Sequence, residues 1–389
     1  MKRFEASEYA ARIKATRERM AKAGIDVLLV TCPQNMNYLT GYDGWSFYTH
    51  QIVALAQDAG PVWIGRAWDI ACVRFTTDLP ERDIVGYADE YVQATDRHEF
   101  DFVAETLRAR GWGARRLGVE MDTYYYTARC HERLAAGLPD ARFVDATSLV
   151  NWVRIVKSPQ EIAYMEQAGR IADLSVEAAV EAIAPGVRAC DAAAKVVAAQ
   201  IAGTRDFGGD VPETIMMSSG STSSAPHLAW TDDPYRAGEV TAMELGGCRH
   251  RYCVGLSRSV FLGKPPAKLG DLAKLMAEAL SEAFEAVRPG ALAEDIHRVW
   301  SGVIARQGYV KKARIGYSIG LDYPPDWGEH TASLRPGDKT VLQPGMTFHL
   351  VGGMREPEWG IQMTETFRVT DRGHASFSAV PRQLFVKPA

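Results

Sequence analysis

Residues 156–173 read VKSPQEIAYMEQAGRIAD, and this stretch decides how the chain is divided. Ser158 offers the side-chain oxygen an N-cap requires, Pro159 stands at the first helical position, where its missing N–H costs nothing, and Glu161 holds the capping-box position. The spacing predicts a helix from 159 to about Pro185–Gly186, with Ile162, Met165, Ile171, Val176 and Ile183 forming a stripe suited to packing on a sheet. So well-defined a helix start opens a new unit, which we place at 151–389. Upstream, residues 1–150 read as one α/β domain. A charged helical segment, MKRFEASEYAARIKATRERM, is followed there by the strand candidates IDVLLV (25–30), VALA (53–56), PVWI (61–64) and RLGVE (116–120).

Downstream, the sequence echoes itself. Ala182-Ile183-Ala184-Pro185-Gly186, followed by Asp191, recurs 104 residues later as Ala286-Val287-Arg288-Pro289-Gly290, followed by Asp295. Ala237-Gly238-Glu239-Val240-Thr241 corresponds in the same way to Pro344-Gly345-Met346-Thr347-Phe348, at an offset of 107. Two echoes at nearly equal offsets predict two halves, each a helix pair followed by strands, related by a pseudo-two-fold axis. A small-molecule site is then expected at the seam between them.

The remaining composition narrows the function. With 389 residues, 47% hydrophobic and 24% charged, the chain has ample material for a core, and disorder is excluded. Forty-four basic residues against forty-eight acidic ones leave a net charge of −4, without the basic excess of a nucleic-acid-binding surface. No apolar run reaches membrane-spanning length and no signal-peptide pattern opens the sequence, so a cytoplasmic protein with no membrane partner is expected. Six scattered cysteines without a Cys-x-x-Cys pair read as reduced thiols.

Four stretches carry a family resemblance: NMNYLTGYDGW (35–45), the 156–173 segment, LSRSVFLGKP (256–265) and LQPGMTFHL (342–350). They resemble the creatinase and aminopeptidase P group. The resemblance implies an α/β (α+β) protein, with a small creatinase-like N-terminal domain and a C-terminal pita-bread domain. Peptide-cutting members of this group hold two metal ions with two Asp, one His and two Glu. Aligned on those positions, this sequence has Glu244, Gly255, Tyr317, Val351 and Thr364, with Glu365 one step further along the last strand and facing the other way. One carboxylate out of five ligands cannot hold a pair of hard divalent ions, so no metal and no other cofactor is expected.

Within the group, the sequence is most similar to the ectoine hydrolases, which open a cyclic amidine to an N-acetyl-diaminobutyrate. The shared stretches are SAPHLAW (224–230), Glu244 to Cys248, GYSIGLDYPPDWGE (316–329), SLRPGD (333–338) and VPRQLFVKP (380–388). That similarity implies Glu244 as the nucleophile and His227 as the acid/base. An amidinium carbon is already electrophilic, so a fixed carboxylate can both pair with its charge and attack it. Tyr317, Tyr323 and Trp327 are expected to present aromatic faces to the cation, Arg258 to clamp a substrate carboxylate, and Glu365 to assist His227 or bind ring nitrogens. The aromatic loop 42–50, with Trp45 and Phe47, is expected to reach over the partner's site in a homodimer. Three other readings remain open: a creatinase-like amidinohydrolase, a metal-dependent peptidase and a non-catalytic osmolyte-binding protein.

Overall fold

The computed structural model describes residues 3–211 and 215–389, which fall into two compact units, Met1–Arg154 and Ile155–Ala389. In the first unit the strands β1 (Val27–Val30), β2 (Ile52–Ala56), β3 (Val62–Arg66), β4 (Ile84–Tyr87), β5 (Arg116–Val119) and β6 (Arg142–Asp145) form one mixed sheet in the order β4-β3-β2-β1-β5-β6. The helices are α1 (Ala6–Ala23), α2 (Pro33–Thr40), α3 (Ile70–Thr76), α4 (Glu99–Ala109), α5 (Ala128–Gly137) and α6 (Asn151–Arg154). The central strands are apolar along their whole length because the sheet is covered. Val27, Leu29, Ile52 and Val62 meet Phe100, Val103 and Leu107 of α4 and Leu134 of α5 in one buried cluster.

The second unit opens on α7 (Pro159–Ala182), whose first turn has the predicted capping box. Ser158 Oγ accepts from Glu161 N at 3.2 Å, and Glu161 Oε2 accepts from Ser158 N at 2.8 Å. Then follow α8 (Ala189–Ala202), β7 (Met216–Ser219), β8 (Val240–Arg249), β9 (Tyr252–Leu262), α9 (Ala267–Glu285) and α10 (Ala293–Ala305). The chain finishes with β10 (Gly316–Ile319), β11 (Gly328–Ser333), β12 (Thr347–Val351), β13 (Met354–Arg355), β14 (Gly360–Ile361), β15 (Thr364–Val369), β16 (His374–Ser376) and β17 (Leu384–Lys387). Two larger sheets result, one ordered β17-β9-β8-β7 and the other β11-β10-β12-β15-β16.

The expected duplication has a structural counterpart. Gly186 and Gly290 both turn with positive φ (83° and 86°), and their N–H groups donate to the carbonyls of Tyr235 and Leu342. Gly238 and Gly345 repeat the device before β8 and β12, with φ of 82° and 87° and bonds to Leu262 and Val369. Each half is therefore a helix pair laid against a sheet through the same corners.

The C-terminal segment is part of this core. β17 pairs in parallel with β9, and the Lys387 ammonium donates to the carbonyls of Val180, Glu181 and Ile183 at the end of α7. Among the described residues no helix is long and apolar enough to cross a membrane.

Candidate active site

The β8–β9 hairpin sets the first wall of the site. Its register places Glu244 opposite Ser257 and Gly246 opposite Gly255, so all four share one face of the sheet. In the other sheet Tyr317 of β10 lies opposite His349 of β12, and Val351 lies opposite Thr364 of β15, which puts these four on one face as well. The two faces meet at the glycines. A Cβ on Gly255 would stand 2.7 Å from the His349 ring, and one on Gly246 would stand 2.9 Å from Trp327. Glycine at both positions is what allows the imidazole and the indole to lie against the hairpin.

Beside this contact lies a cavity of about 670 Å³, whose lining includes the carboxylates of Glu244 and Asp326 and the cations of Lys311, Arg314 and Arg355. Tyr317 and Trp327 supply aromatic walls, joined by a hydrogen bond from Trp327 Nε1 to Tyr317 Oη at 2.7 Å. Glu244 is half-buried, and Gln362 Nε2 donates to its Oε2 at 2.9 Å, which leaves Oε1 for other work. Asp326 is committed elsewhere. It accepts from the backbone N–H groups of Trp327 and Gly328 and from His330 Nε2, and although burial alone would raise its pKa, these bonds hold it below the usual carboxylate range. His227, in a left-handed conformation at φ 62°, reaches the cavity from an exposed loop.

Burial governs the cations. Lys311, bonded to the carbonyl of Gly353 at 2.8 Å, is lowered to about 8 by burial and by the neighbouring Arg355 charge, against the pull of Glu244. Arg355 is lowered by burial too. Fully buried His349 is lowered to about 3, so it is neutral at physiological pH, and its Nε2 has no hydrogen-bond partner among the described residues.

The structure therefore brings Glu244, His227, Tyr317 and Trp327 to one cavity and leaves the other expected residues outside its lining. Arg258 and Glu365 face away from it, paired with each other at 3.1 Å in full burial. The Arg258 guanidinium also donates to the carbonyls of Ser257, Thr364, Val380 and Pro381, so its hydrogen-bonding capacity is spent on holding the C-terminal segment. Glu365 accepts from Ser376 and Arg382 besides, and cannot serve His227. Tyr323 is buried with its ring beneath the Arg251 guanidinium at 4.6 Å. Trp45 and Phe47 line a separate cavity of about 160 Å³ within the first unit, Trp45 donating to Tyr125 Oη and Phe47 remaining 69% exposed.

Four residues that matter here escaped the sequence reading. Lys311 and Arg355 lie in stretches with no motif, and Gln362 gave no signal either. His349 could have been found, because it stands two positions before Val351 on the same strand and hence on the same face.

A pair of divalent ions does not fit this donor set. Of the five aligned positions only Glu244 carries a carboxylate, the space beside Gly255 is filled by the His349 ring, and three cations line the same cavity. Among the described residues, the cluster of three metal-ligating side chains that does occur belongs to the first unit.

Comparison with known proteins places this architecture. Residues 12–156 match the creatinase/prolidase N-terminal domain, and residues 163–371 match metallopeptidase family M24. A hydrolase/peptidase of Sinorhizobium fredii is 46% identical over 99% of this chain and 98% of its own length. The ectoine hydrolase of Halomonas elongata is 43% identical, again over 99% of this chain and 98% of its own. Among solved structures, a prolidase from Thermococcus sibiricus superposes with a TM-score of 0.86 over 98% of this chain and all of its own, at 19% identity. Dipeptidase PepE from Mycobacterium ulcerans does so at 0.84 over 99% of this chain and all of its own, at 23% identity. The chain is thus a hydrolase that belongs to the M24 family, a creatinase-like N-terminal domain joined to a pita-bread domain.

Proposed function

We propose that the chain hydrolyses a C–N bond of a small cyclic amidine, ectoine or a close relative, without a metal ion. The observation that carries this reading is the charge pattern of the large cavity. Among the described residues of its lining, Glu244 keeps one carboxylate oxygen unbonded and faces the half-buried cations Lys311 and Arg355, with Tyr317 and Trp327 beside them. Ectoine is a zwitterion, an amidinium ring bearing one carboxylate, and such a molecule complements that pattern at both ends. The 43% identity to the Halomonas elongata ectoine hydrolase points to the same substrate class.

In the proposed reaction, Glu244 forms a C–O bond to the amidinium carbon while the C=N π pair moves onto nitrogen. Protonated His227 gives its proton to the departing ring nitrogen as that C–N bond breaks. Water then adds to the same carbon and passes a proton to His227, and the bond to Glu244 breaks, leaving an N-acetylated diamino acid. Gln362 holds one oxygen of Glu244 so that the other can attack. Lys311 and Arg355 take the substrate carboxylate, the task the sequence had suggested for Arg258. We further propose a homodimer in which the partner's loop 42–50, with its exposed Phe47 and Tyr48, closes the side of the cavity where His227 is exposed.

The test is to strip the protein of metal with a chelator, incubate it with ectoine and follow both the solution and the Glu244 peptide by mass spectrometry. Ring opening at an undiminished rate, with a transient mass increment on that peptide, is the expected result. Activity that returns only when divalent ions are added, or that survives in Glu244→Gln, overturns the reading.

A further inference from the structure

The first unit contains a cluster of chemistry-bearing side chains that the proposed reaction does not use. His50 ends the aromatic loop before β2, His98 is the N-cap of α4, and Cys130 lies in the first turn of α5. One ligand atom from each lies within 4.8 Å of the other two. Cys130 Sγ is 3.4 Å from His50 Nε2, and the two imidazoles are 5.2 Å apart between centroids at an interplanar angle of 34°. Three segments distant in sequence thus converge on one point.

We propose that His50, His98 and Cys130 form a binding site for one borderline-soft divalent transition ion of the Zn²⁺ or Co²⁺ type, with the carboxylate of Glu99 completing the charge.

Four observations support the assignment. First, the ligand set of one thiolate and two imidazoles is that of tetrahedral zinc sites and selects against hard ions such as Mg²⁺ and Ca²⁺. Second, partners able to orient ligating imidazoles surround both rings. A ring N–H of His50 donates to the Tyr125 carbonyl, which leaves its other nitrogen with a lone pair. His98 Nδ1 has both kinds of neighbour: it accepts from Phe100 N at 3.1 Å and lies 3.6 Å from Glu99 Oε2. With its proton on Nδ1 facing Glu99, the lone pair of Nε2 is free to ligate. The cap bond from Phe100 is given up in exchange, while the other half of that capping box, His98 N to Asp101, remains.

Third, the charges balance. Glu99 is 6% exposed, a buried carboxylate whose field acts on His50, His98 and Cys130 alike. A divalent ion with one thiolate and this carboxylate is neutral overall, the condition under which an ion is tolerated in a protein interior. Fourth, the site can be loaded: binding forms the metal–sulfur bond and releases the thiol proton to solvent. Entry is available too, since His50 and Thr127, whose Oγ1 is 3.1 Å from Cys130 Sγ, line the smaller cavity of this unit. Bound there, the ion pins the end of the loop carrying Trp45 and Phe47 to the N-termini of α4 and α5.

The test uses the full chain, stripped with chelator and titrated with Co²⁺ alone. About one equivalent is expected to bind with a near-ultraviolet thiolate-to-cobalt charge-transfer band that Zn²⁺ displaces. The larger cavity has no cysteine in its lining, so binding there cannot produce this signal. Cys130→Ser is expected to abolish the band, and Cys72→Ser, at an exposed position, to leave it intact. His50→Gln keeps the thiol and is expected to weaken Co²⁺ at least about tenfold. No band in the unaltered protein, a band that persists in Cys130→Ser, or unchanged affinity in His50→Gln overturns the proposal.

Discussion

Glu244 has one oxygen held by Gln362 and one facing the cavity, and this division yields two predictions. Glu244→Gln keeps the shape and removes the nucleophile, so kcat should fall by about two orders of magnitude or more. Gln362→Leu leaves the acid present but unoriented, and should lower kcat with a smaller change in KM. Lys311 gives a pH dependence whose direction follows from its lowered pKa. The ammonium is present below about 8 and is lost as the pH rises through that value, so affinity for an anionic substrate group should weaken on the alkaline side. A KM profile against pH checks this, and in Lys311→Met the alkaline rise should disappear. His349 makes a prediction about stability. In the fold it stays neutral down to about 3, whereas in the unfolded chain it protonates near its ordinary value of 6.5. The unfolded state then binds the extra proton between those values. Stability should fall on acidification through that window by up to about 1.4 kcal/mol per pH unit, a slope that denaturant titrations of His349→Leu should lack.

At the level of elements, the β8–β9 hairpin and the strands facing it decide what the site can hold. Gly255 has no room for a side chain, because even a Cβ meets the His349 ring. Gly255→Asp, which restores a carboxylate at that ligand position, should therefore not restore metal binding. It should destabilise the domain by several kcal/mol as measured by denaturant midpoint, through the clash and a buried charge. The same elements show why some features were legible and others were not. The start of α7 could be read because Ser158, Pro159 and Glu161 encode a cap within four residues, and the two helix-pair halves could be read because Gly186 and Gly290 mark corners that a positive φ requires. Glu244, His227, Tyr317 and Trp327, which line one cavity, stand in stretches that carry the resemblance to the ectoine hydrolases. Arg258 and Glu365 were misplaced because strand position gives a face but not what packs on it, and here the C-terminal segment packs on it. Lys311 and Arg355 reach the cavity only through tertiary folding, which no spacing along the chain records.

For the whole molecule, the proposed homodimer gives a complementation test. If loop 42–50 serves the partner's cavity, mixing inactive Phe47→Ala with inactive Glu244→Gln subunits rebuilds one intact site per mixed dimer. About a quarter of full activity should return after subunit exchange. No recovery would mean that each subunit works with its own loop. A different consequence follows from the buried guanidinium of Arg258. Two of its four carbonyl partners, Val380 and Pro381, belong to the last ten residues of the chain, and β17 follows directly after them. Trimming that segment strips ligands from an interior cation, a loss on the order of 3–5 kcal/mol. Proteolytic nicking there should therefore inactivate the enzyme although every residue lining the cavity is still present.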